Sequence, residues 1–251
     1  MRIAIKFAYD GRNFYGYARQ PKLKTVEGEL LNALMKLGYI KDIKRSQFRS
    51  ASRTDKGVSA LCNVIAFNIE KKTNNIFKEL NLELSGIYAY AKLFVNSDFY
   101  PRYAKYRCYR YYLKNTGLDI EKVIHAANVF TGEHNFSNFA RVEEYKDPIR
   151  TIDNITIIKD DDFLIIDFYA QTYLWHQIRR IVAGIQKVGL YKIKIQDIIN
   201  ALKQPAKKFD FGIVTAEPLI LKDIIYDLGF EYKKNYLKLL NNLECRVIHS
   251  I

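Results

Sequence analysis

Cysteine is scarce in this sequence, and its three cysteines lie far apart at Cys62, Cys108 and Cys245. Their odd number and the absence of a Cys-x-x-Cys pair argue against a disulfide framework. The absence of such a pair also argues against a zinc site. We therefore expect a reduced protein without a metal centre.

Long apolar runs are also missing. No segment has the ~20 consecutive apolar residues needed to cross a bilayer, and residues 1–7 are too short and too interrupted for a signal peptide. The sequence contains no Gly-rich phosphate loop, dinucleotide fingerprint or short repeat. It therefore predicts a cytoplasmic protein with no membrane segment and no cofactor.

Acidic residues are outnumbered, since 27 Asp and Glu stand against 40 Lys and Arg, which gives a formal net charge of +13. Such a charge attracts a polyanion and makes its binding salt-dependent. With 251 residues and 49% apolar content, the chain can bury a core as one large domain or two small ones. These numbers fit a globular protein with a nucleic-acid partner.

Hydrophobic periodicity alternates between strands and helices, which predicts an α+β fold. Thr25 is expected to cap a helix that ends at Gly38. The other predicted helices cover about 119–130, a stretch from near 176, and 195–203. The predicted strands cover 3–9, 63–69, 87–95 and 219–226, with a hairpin of 152–158 and 163–170. The expected domains are 1–105 and 106–251.

A polar loop at residues 51–60 is the best candidate for an active site. It holds Asp55 between Arg53 and Lys56 and is closed by Gly57, which is free to adopt a positive φ. The two cations favour the ionised carboxylate that a nucleophile requires. The alternative is a solvated turn, because these residue types are common in turns.

Residues 99–114 interleave six tyrosines with five cations and contain no acid. Tyrosine rings stack on unpaired bases while cations contact phosphates, so we expect an RNA-facing strand. The alternative is an edge strand made polar against aggregation. In the helix from near 176, Arg179 borders the apolar stripe and needs a partner if it is buried. Otherwise it is an arginine that reaches solvent along the surface.

Six segments together resemble the TruA family of tRNA pseudouridine synthases, and they span Tyr9 to about Leu221. Residues 53–60 resemble the family's catalytic loop. The other segments are 9–20 (YDG…GYARQ), 107–111 (RCYRY), 132–139 (GEHNFSNF), 175–182 (WHQIRRIV) and 216–221 (AEPLIL). Tyr17, Asn135 and Pro218 depart from the family's tryptophan, aspartate and glycine.

The resemblance implies an isomerase that converts uridine to pseudouridine on the 3′ side of the tRNA anticodon arm (tRNA positions 38–40). It implies Asp55 as nucleophile, Tyr109 stacking on the target base, and Arg179 pairing with Asp55. It also implies two ferredoxin-like halves, with mainly antiparallel sheets joined around a central basic cleft, in a homodimer. The last thirty or so residues of the chain lie outside the stretch that resembles the family.

The residues expected to contact RNA are cations and one histidine: Arg19, Arg53, Lys56, Arg102, Arg107, Arg110 and His176. For His134 and His176, a structural or RNA-contacting role is favoured over acid–base catalysis. Two alternatives stay open. The first is a synthase that acts on another uridine in tRNA or in other RNA. The second is a non-catalytic RNA-binding protein on the same scaffold.

Overall fold

The computed structural model describes residues 1–71 and 75–251. In these ranges the chain is a mixed α+β structure with mainly antiparallel strand pairing and six α-helices. In chain order the elements are β1 (Arg2–Tyr9), α1 (Val26–Lys36), β2 (Arg49–Ser50), β3 (Ser59–Asn68), α2 (Ile76–Glu83), β4 (Ile87–Val95), β5 (Tyr106–Lys114), α3 (Ile120–Asn128), β6 (Gly132–Asn135), β7 (Ile149–Ile152), β8 (Asn154–Asp160), β9 (Phe163–Ala170), α4 (Gln177–Gly189), α5 (Ile195–Lys203), β10 (Leu219–Ile225), β11 (Glu231–Tyr232) and α6 (Tyr236–Ile248).

The chain divides into two compact units. One combines Met1–Lys105 with Ile220–Ile251, and the other is Tyr106–Leu219. The expected domain 106–251 therefore differs from the structure at its C-terminal end. The reason is tertiary: β10 pairs in parallel with β3, and Tyr236 of α6 stacks on Tyr90 of β4 with the ring centres 5.6 Å apart.

In the first unit the strand order is β11-β4-β1-β3-β10, and β2 also pairs with β3. β1 is antiparallel to both β3 and β4. Its alternating pattern predicted a half-buried strand, yet all eight residues are buried. Lys6, a polar residue of β1, is covered by the C-terminal segment: its ammonium lies over the rings of Phe230 and Tyr232.

The N-terminal cap of α1 is confirmed. The Thr25 hydroxyl accepts a hydrogen bond from the Gly28 amide at 3.3 Å, which satisfies one of the unpaired amides of the first turn. Gly38 follows the helix with a φ of +72°, as expected for a residue that ends a helix in the left-handed region.

In the second unit β5, β9 and β8 form an antiparallel sheet, and β6 pairs with β7 in a separate hairpin. The predicted hairpin is formed by β8 and β9, while residues 149–152 belong to β7. α5 has the predicted bounds. The apolar stripe of α4 is buried as expected: Ile178, Ile181, Val182, Ile185 and Val188. Among the described residues, no helix combines the length and apolar character needed to span a membrane.

Candidate active site

The loop that carries Asp55 connects β2 to β3. Asp55 is half-buried, and its carbonyl oxygen accepts a hydrogen bond from the Val58 amide at 3.2 Å. Gly57 has a φ of +86°, so the predicted turn residue is confirmed. Asn63 of β3 donates its side-chain amide to the Ser52 carbonyl at 3.0 Å. The loop is thus a defined turn tied to β3.

A second tie comes from the end of β1. The Tyr9 and Thr54 hydroxyl groups form a buried hydrogen bond of 2.8 Å, and the Gly11 amide donates to the Ser59 hydroxyl at 3.0 Å. Gly11 lies directly against the loop backbone: a Cβ there would be 2.1 Å from the Val58 carbonyl oxygen. Only glycine permits this approach.

A third tie comes from residues 16–17. The Tyr17 amide donates to the Thr54 carbonyl at 3.1 Å, and the carbonyls of Gly16 and Tyr17 accept the amides of Val26 and Glu27 at the start of α1. A Cβ at Gly16, whose φ is +92°, would contact the Lys56 amide nitrogen at 3.3 Å. Residues 16–17 therefore join the Asp55 loop to α1.

Tyr17, which stands in place of the family's tryptophan, is fully buried. Its hydroxyl donates to the Ser50 hydroxyl at 2.6 Å. Burial raises the pKa of Tyr17 well above its ordinary value, so the phenol stays neutral and keeps its proton for this bond. Tyr17 thus fixes the residue that leads into the loop.

The cations expected to contact RNA in this unit are mainly exposed. Arg53 and Lys56 flank Asp55 and face solvent, and the Lys56 ammonium lies 4.6 Å from the centre of the Tyr15 ring. Arg19 is half-exposed, with its Nε 3.7 Å from a carboxylate oxygen of Glu27. Arg102 is exposed in the turn before β5. These placements are compatible with phosphate contacts, which stay a prediction.

Tyr109 lies in β5, in the second unit, and is 9% exposed. Its ring meets that of Tyr173 edge to face, with the centres 5.2 Å apart at 84°. The Tyr173 hydroxyl is buried and has no hydrogen-bond partner among the described residues, and burial raises its pKa well above the ordinary value. Tyr109 is thus held by an aromatic neighbour that sequence reasoning did not identify.

Arg179 is half-buried on α4, and its Nε donates to the Val214 carbonyl at 2.9 Å. The Tyr111 hydroxyl donates to the adjacent Thr215 carbonyl at 3.3 Å. Burial raises the pKa of Tyr111 to about 12, and the nearby Arg179 charge partly opposes that rise. Arg179 therefore lies close to β5, while its pairing with Asp55 stays a prediction.

β5 is mostly buried, and its expected contact with RNA through Arg107, Tyr109 and Arg110 stays a prediction. Only Lys114, at its end, is exposed. Arg107 is 4% exposed and donates to the Gln171 carbonyl. Arg110 makes a bidentate pair with Asp167 at 2.7 and 2.8 Å, and these hydrogen bonds raise its pKa. The guanidinium groups are thus matched within the protein, which allows the strand to be buried.

The two candidate histidines both lie in the second unit, and the RNA contact expected of His176 stays a prediction. His134 Nε2 is 3.0 Å from the Thr131 carbonyl oxygen. His176 is the residue before α4 and has a φ of +63°. Asn135 stands where the family has aspartate, and its side-chain oxygen accepts from both the amide and the hydroxyl of Ser137. A neutral amide supplies the acceptor that this turn requires.

Comparisons with known proteins agree on one kind of protein. A family model described as tRNA pseudouridine synthase matches residues 126–227. A tRNA pseudouridine synthase A from Thermococcus sibiricus is 44% identical over 92% of this chain and 85% of its own length. Those from Pyrococcus abyssi and Methanobrevibacter smithii are 41% and 38% identical, over 94% and 90% of this chain and 88% and 83% of theirs.

The solved structures that match this chain resemble it only weakly. A crystal structure of a Cbf5-Nop10-Gar1 complex matches with a TM-score of 0.37 and 14% identity, over 72% of this chain and 46% of that one. A match of this quality defines neither fold nor function. The sequence relatives, in contrast, span the loop around Asp55 as well as β5 and α4.

Proposed function

Because the chain belongs to the TruA family of tRNA pseudouridine synthases, we propose that Asp55 is its nucleophile and that its target uridines lie on the 3′ side of the anticodon arm. The reaction is an isomerisation. The bond from the sugar to N1 of uracil breaks, the uracil turns, and the sugar bonds to C5. The C5 proton is lost and N1 takes one up.

Each proposed residue has a role in one of these reaction steps. Asp55 attacks the nucleoside and holds it covalently while the uracil turns. Tyr109 stacks on the base and assists removal of the C5 proton, and Arg179 pairs with Asp55 and directs it. The target base leaves its helix to reach these groups. Every non-hydrogen atom of the product comes from the substrate, and the protons exchange with solvent, so no group donor is required.

The observation that carries this proposal is the fixed backbone of the Asp55 loop. The Thr54 carbonyl, the Thr54 hydroxyl and the Val58 peptide are each held or closely contacted by residues 9–17. A nucleophile needs such fixed geometry, because catalysis depends on placing the attacking atom. A protein that only binds RNA has no comparable need for a positioned carboxylate.

The architecture expected from the family is a further part of the proposal: two ferredoxin-like halves around a basic cleft, in a cytoplasmic homodimer. In support, β4, β1, β3 and β2 lie in that order in the first unit, which is the strand order of a ferredoxin-like sheet. The net charge of +13 favours a basic RNA-binding surface.

The test is tritium release from tRNA transcripts labelled at uracil C5, with wild type and Asp55→Asn compared. We expect release by wild type alone, while Asp55→Asn binds tRNA within a few fold of wild type. Asp98→Asn, which changes an exposed carboxylate of the same unit, is the matched control and should release tritium normally. Turnover by Asp55→Asn would disprove the nucleophile assignment.

Transcripts that lack single anticodon-arm uridines locate the target. Loss of release with one of these transcripts assigns the position. Release from all of them indicates a different uridine, and no release from any tRNA despite tight binding favours the non-catalytic RNA-binding protein.

Tyr109→Phe separates stacking from proton transfer. The variant keeps the aromatic ring, so we expect RNA affinity near wild type and a slower chemical step in single-turnover kinetics. An equal loss of affinity and rate would instead identify Tyr109 as a binding residue.

A further inference from the structure

The single tryptophan of the chain lies at the surface. Trp175, just before α4, is 42% exposed. Its carbonyl oxygen accepts a hydrogen bond of 2.8 Å from the Arg141 amide, and the two residues form an isolated β-bridge. Indole side chains are on average highly buried, so this exposure requires an explanation.

The indole has a cation and an imidazole beside it. The Arg141 guanidinium is 4.3 Å from the centre of the Trp175 ring, and the His176 ring centre is 4.9 Å away at an angle of 53°. Arg141 is itself exposed. Since cation–π pairs contribute little at exposed sites, the fold gains little from keeping this pair at the surface.

The backbone below the pair is firmly held. Asn138 donates its side-chain amide to the carbonyls of Ala201 and Lys207 at 2.9 and 3.0 Å. Phe139 is fully buried and stacks on Phe211 with the ring centres 5.2 Å apart. On the other side, the Gln177 side-chain oxygen accepts from the Leu174 amide at 2.8 Å. Because this backbone is already fixed, the protein loses little conformational entropy when a ligand binds here.

We propose that Trp175 and Arg141 form a stacking platform for an unpaired nucleobase of the tRNA substrate. Bases splayed out of a helix stack on aromatic rings and on arginine planes, and the arginine charge also favours the adjoining phosphate. The net charge of +13 favours a polyanionic ligand over a protein partner. This inference rests on the proposed function and adds a base-contacting site to it.

The first test uses the fact that Trp175 is the only tryptophan. We excite the indole selectively and titrate Asp55→Asn protein with an anticodon-arm transcript. A base stacked on the ring should quench its emission in parallel with binding measured by filter retention. Complete binding without a change in emission would overturn the proposal.

The second test measures affinity. Loss of a base–aromatic stack should weaken binding by roughly 5- to 150-fold in Trp175→Ala, while Trp175→Phe should lose less and Trp175→Leu about as much as alanine. Tyr145→Ala is the matched control, since Tyr145 is a 97% exposed aromatic of the same unit. Unchanged affinity in Trp175→Ala would refute the platform.

Two further outcomes are distinguishable. If wild type releases tritium while Trp175→Ala retains full affinity, the platform is wrong and the proposed function stands. If wild type neither binds nor modifies any tRNA, the proposed function fails first. Thermal unfolding of each variant shows whether the fold is intact, and the fluorescence titration needs no substitution at Trp175.

Discussion

Replacing Gly11 with alanine tests whether the end of β1 sets the position of the Asp55 loop. A Cβ at this residue would lie 2.1 Å from the Val58 carbonyl oxygen and 2.3 Å from its carbon. Both are backbone atoms, so no rotamer change relieves the overlap. Either residue 11 or the loop must move, and movement of residue 11 also disturbs its hydrogen bond to Ser59.

The size of the movement follows from the contact. Real Cβ atoms essentially never lie closer than 3.0 Å to heavy atoms outside their own stretch of chain, so the backbones must separate by about 1 Å. The Val58 amide is bonded to the Asp55 carbonyl, which passes the shift to Asp55. A displacement of about 1 Å at a catalytic group reduces the rate by roughly 100-fold, and overpacking costs about 1–3 kcal/mol of stability.

The assay is single-turnover pseudouridine formation with protein in excess, because it reports the chemical step apart from product release. We expect Gly11→Ala to bind tRNA within a few fold of wild type and to react about 100-fold more slowly. Gly229→Ala is the matched control, since a Cβ at that glycine meets open space. Its rate should equal that of wild type.

A folded Gly11→Ala protein with a wild-type rate would show that the loop tolerates the displacement. The contacts of residues 9–17 with the loop, which we call the clamp, would then have only a structural role and would not support Asp55 as a positioned nucleophile. A variant that unfolds is recognised by its unfolding midpoint. In that case Gly16→Ala, with a closest backbone contact of 3.3 Å at a φ of +92°, is the milder perturbation of the same clamp.

Two further predictions concern buried groups. Ser59→Ala removes the acceptor of the buried Gly11 amide and should lower the free energy of unfolding by about 1–3 kcal/mol in urea titration; an unchanged midpoint would contradict a significant role for that bond. Burial raises the pKa of the Cys62 thiol to about 12, while Cys245 is exposed, so native protein near neutral pH should be labelled by a thiol reagent at Cys245 and not at Cys62. Equal labelling of both cysteines would show that the core opens readily.

Local patterns in the sequence predicted much of the secondary structure. Thr25 and the glycine at 38 mark the ends of α1 because capping is a local property. β4 and α5 were predicted with their observed bounds, since each has a clear apolar period. Two helices, α2 and α6, and four short strands, β2, β6, β7 and β11, were not predicted. The two-residue β11 is too short for a period, and no cap hydrogen bond marks the start of α2 or α6.

The surroundings of the candidate site were harder to predict, because they depend on distant residues. Arg110 lies in a run without acids, but its partner Asp167 is 57 positions away in β9. The two meet only because β5 and β9 pair in that register. A local count of charges therefore gave no indication of this ion pair. The contact between Tyr109 and Tyr173 also joins residues that are distant in the sequence, so a local pattern did not indicate it.

The structure separates two tasks within the Asp55 loop. Thr54 and Val58 lie against residues 9–17 and are buried, whereas Arg53 and Lys56 face solvent. Buried contacts hold a loop in one conformation, while exposed cations act on a polyanion through long-range, salt-dependent attraction. One short segment can therefore place a carboxylate accurately and still supply the charge that attracts RNA. We therefore expect the clamp to govern the rate of the proposed chemical step, and the exposed cations to govern how tightly and how quickly tRNA binds.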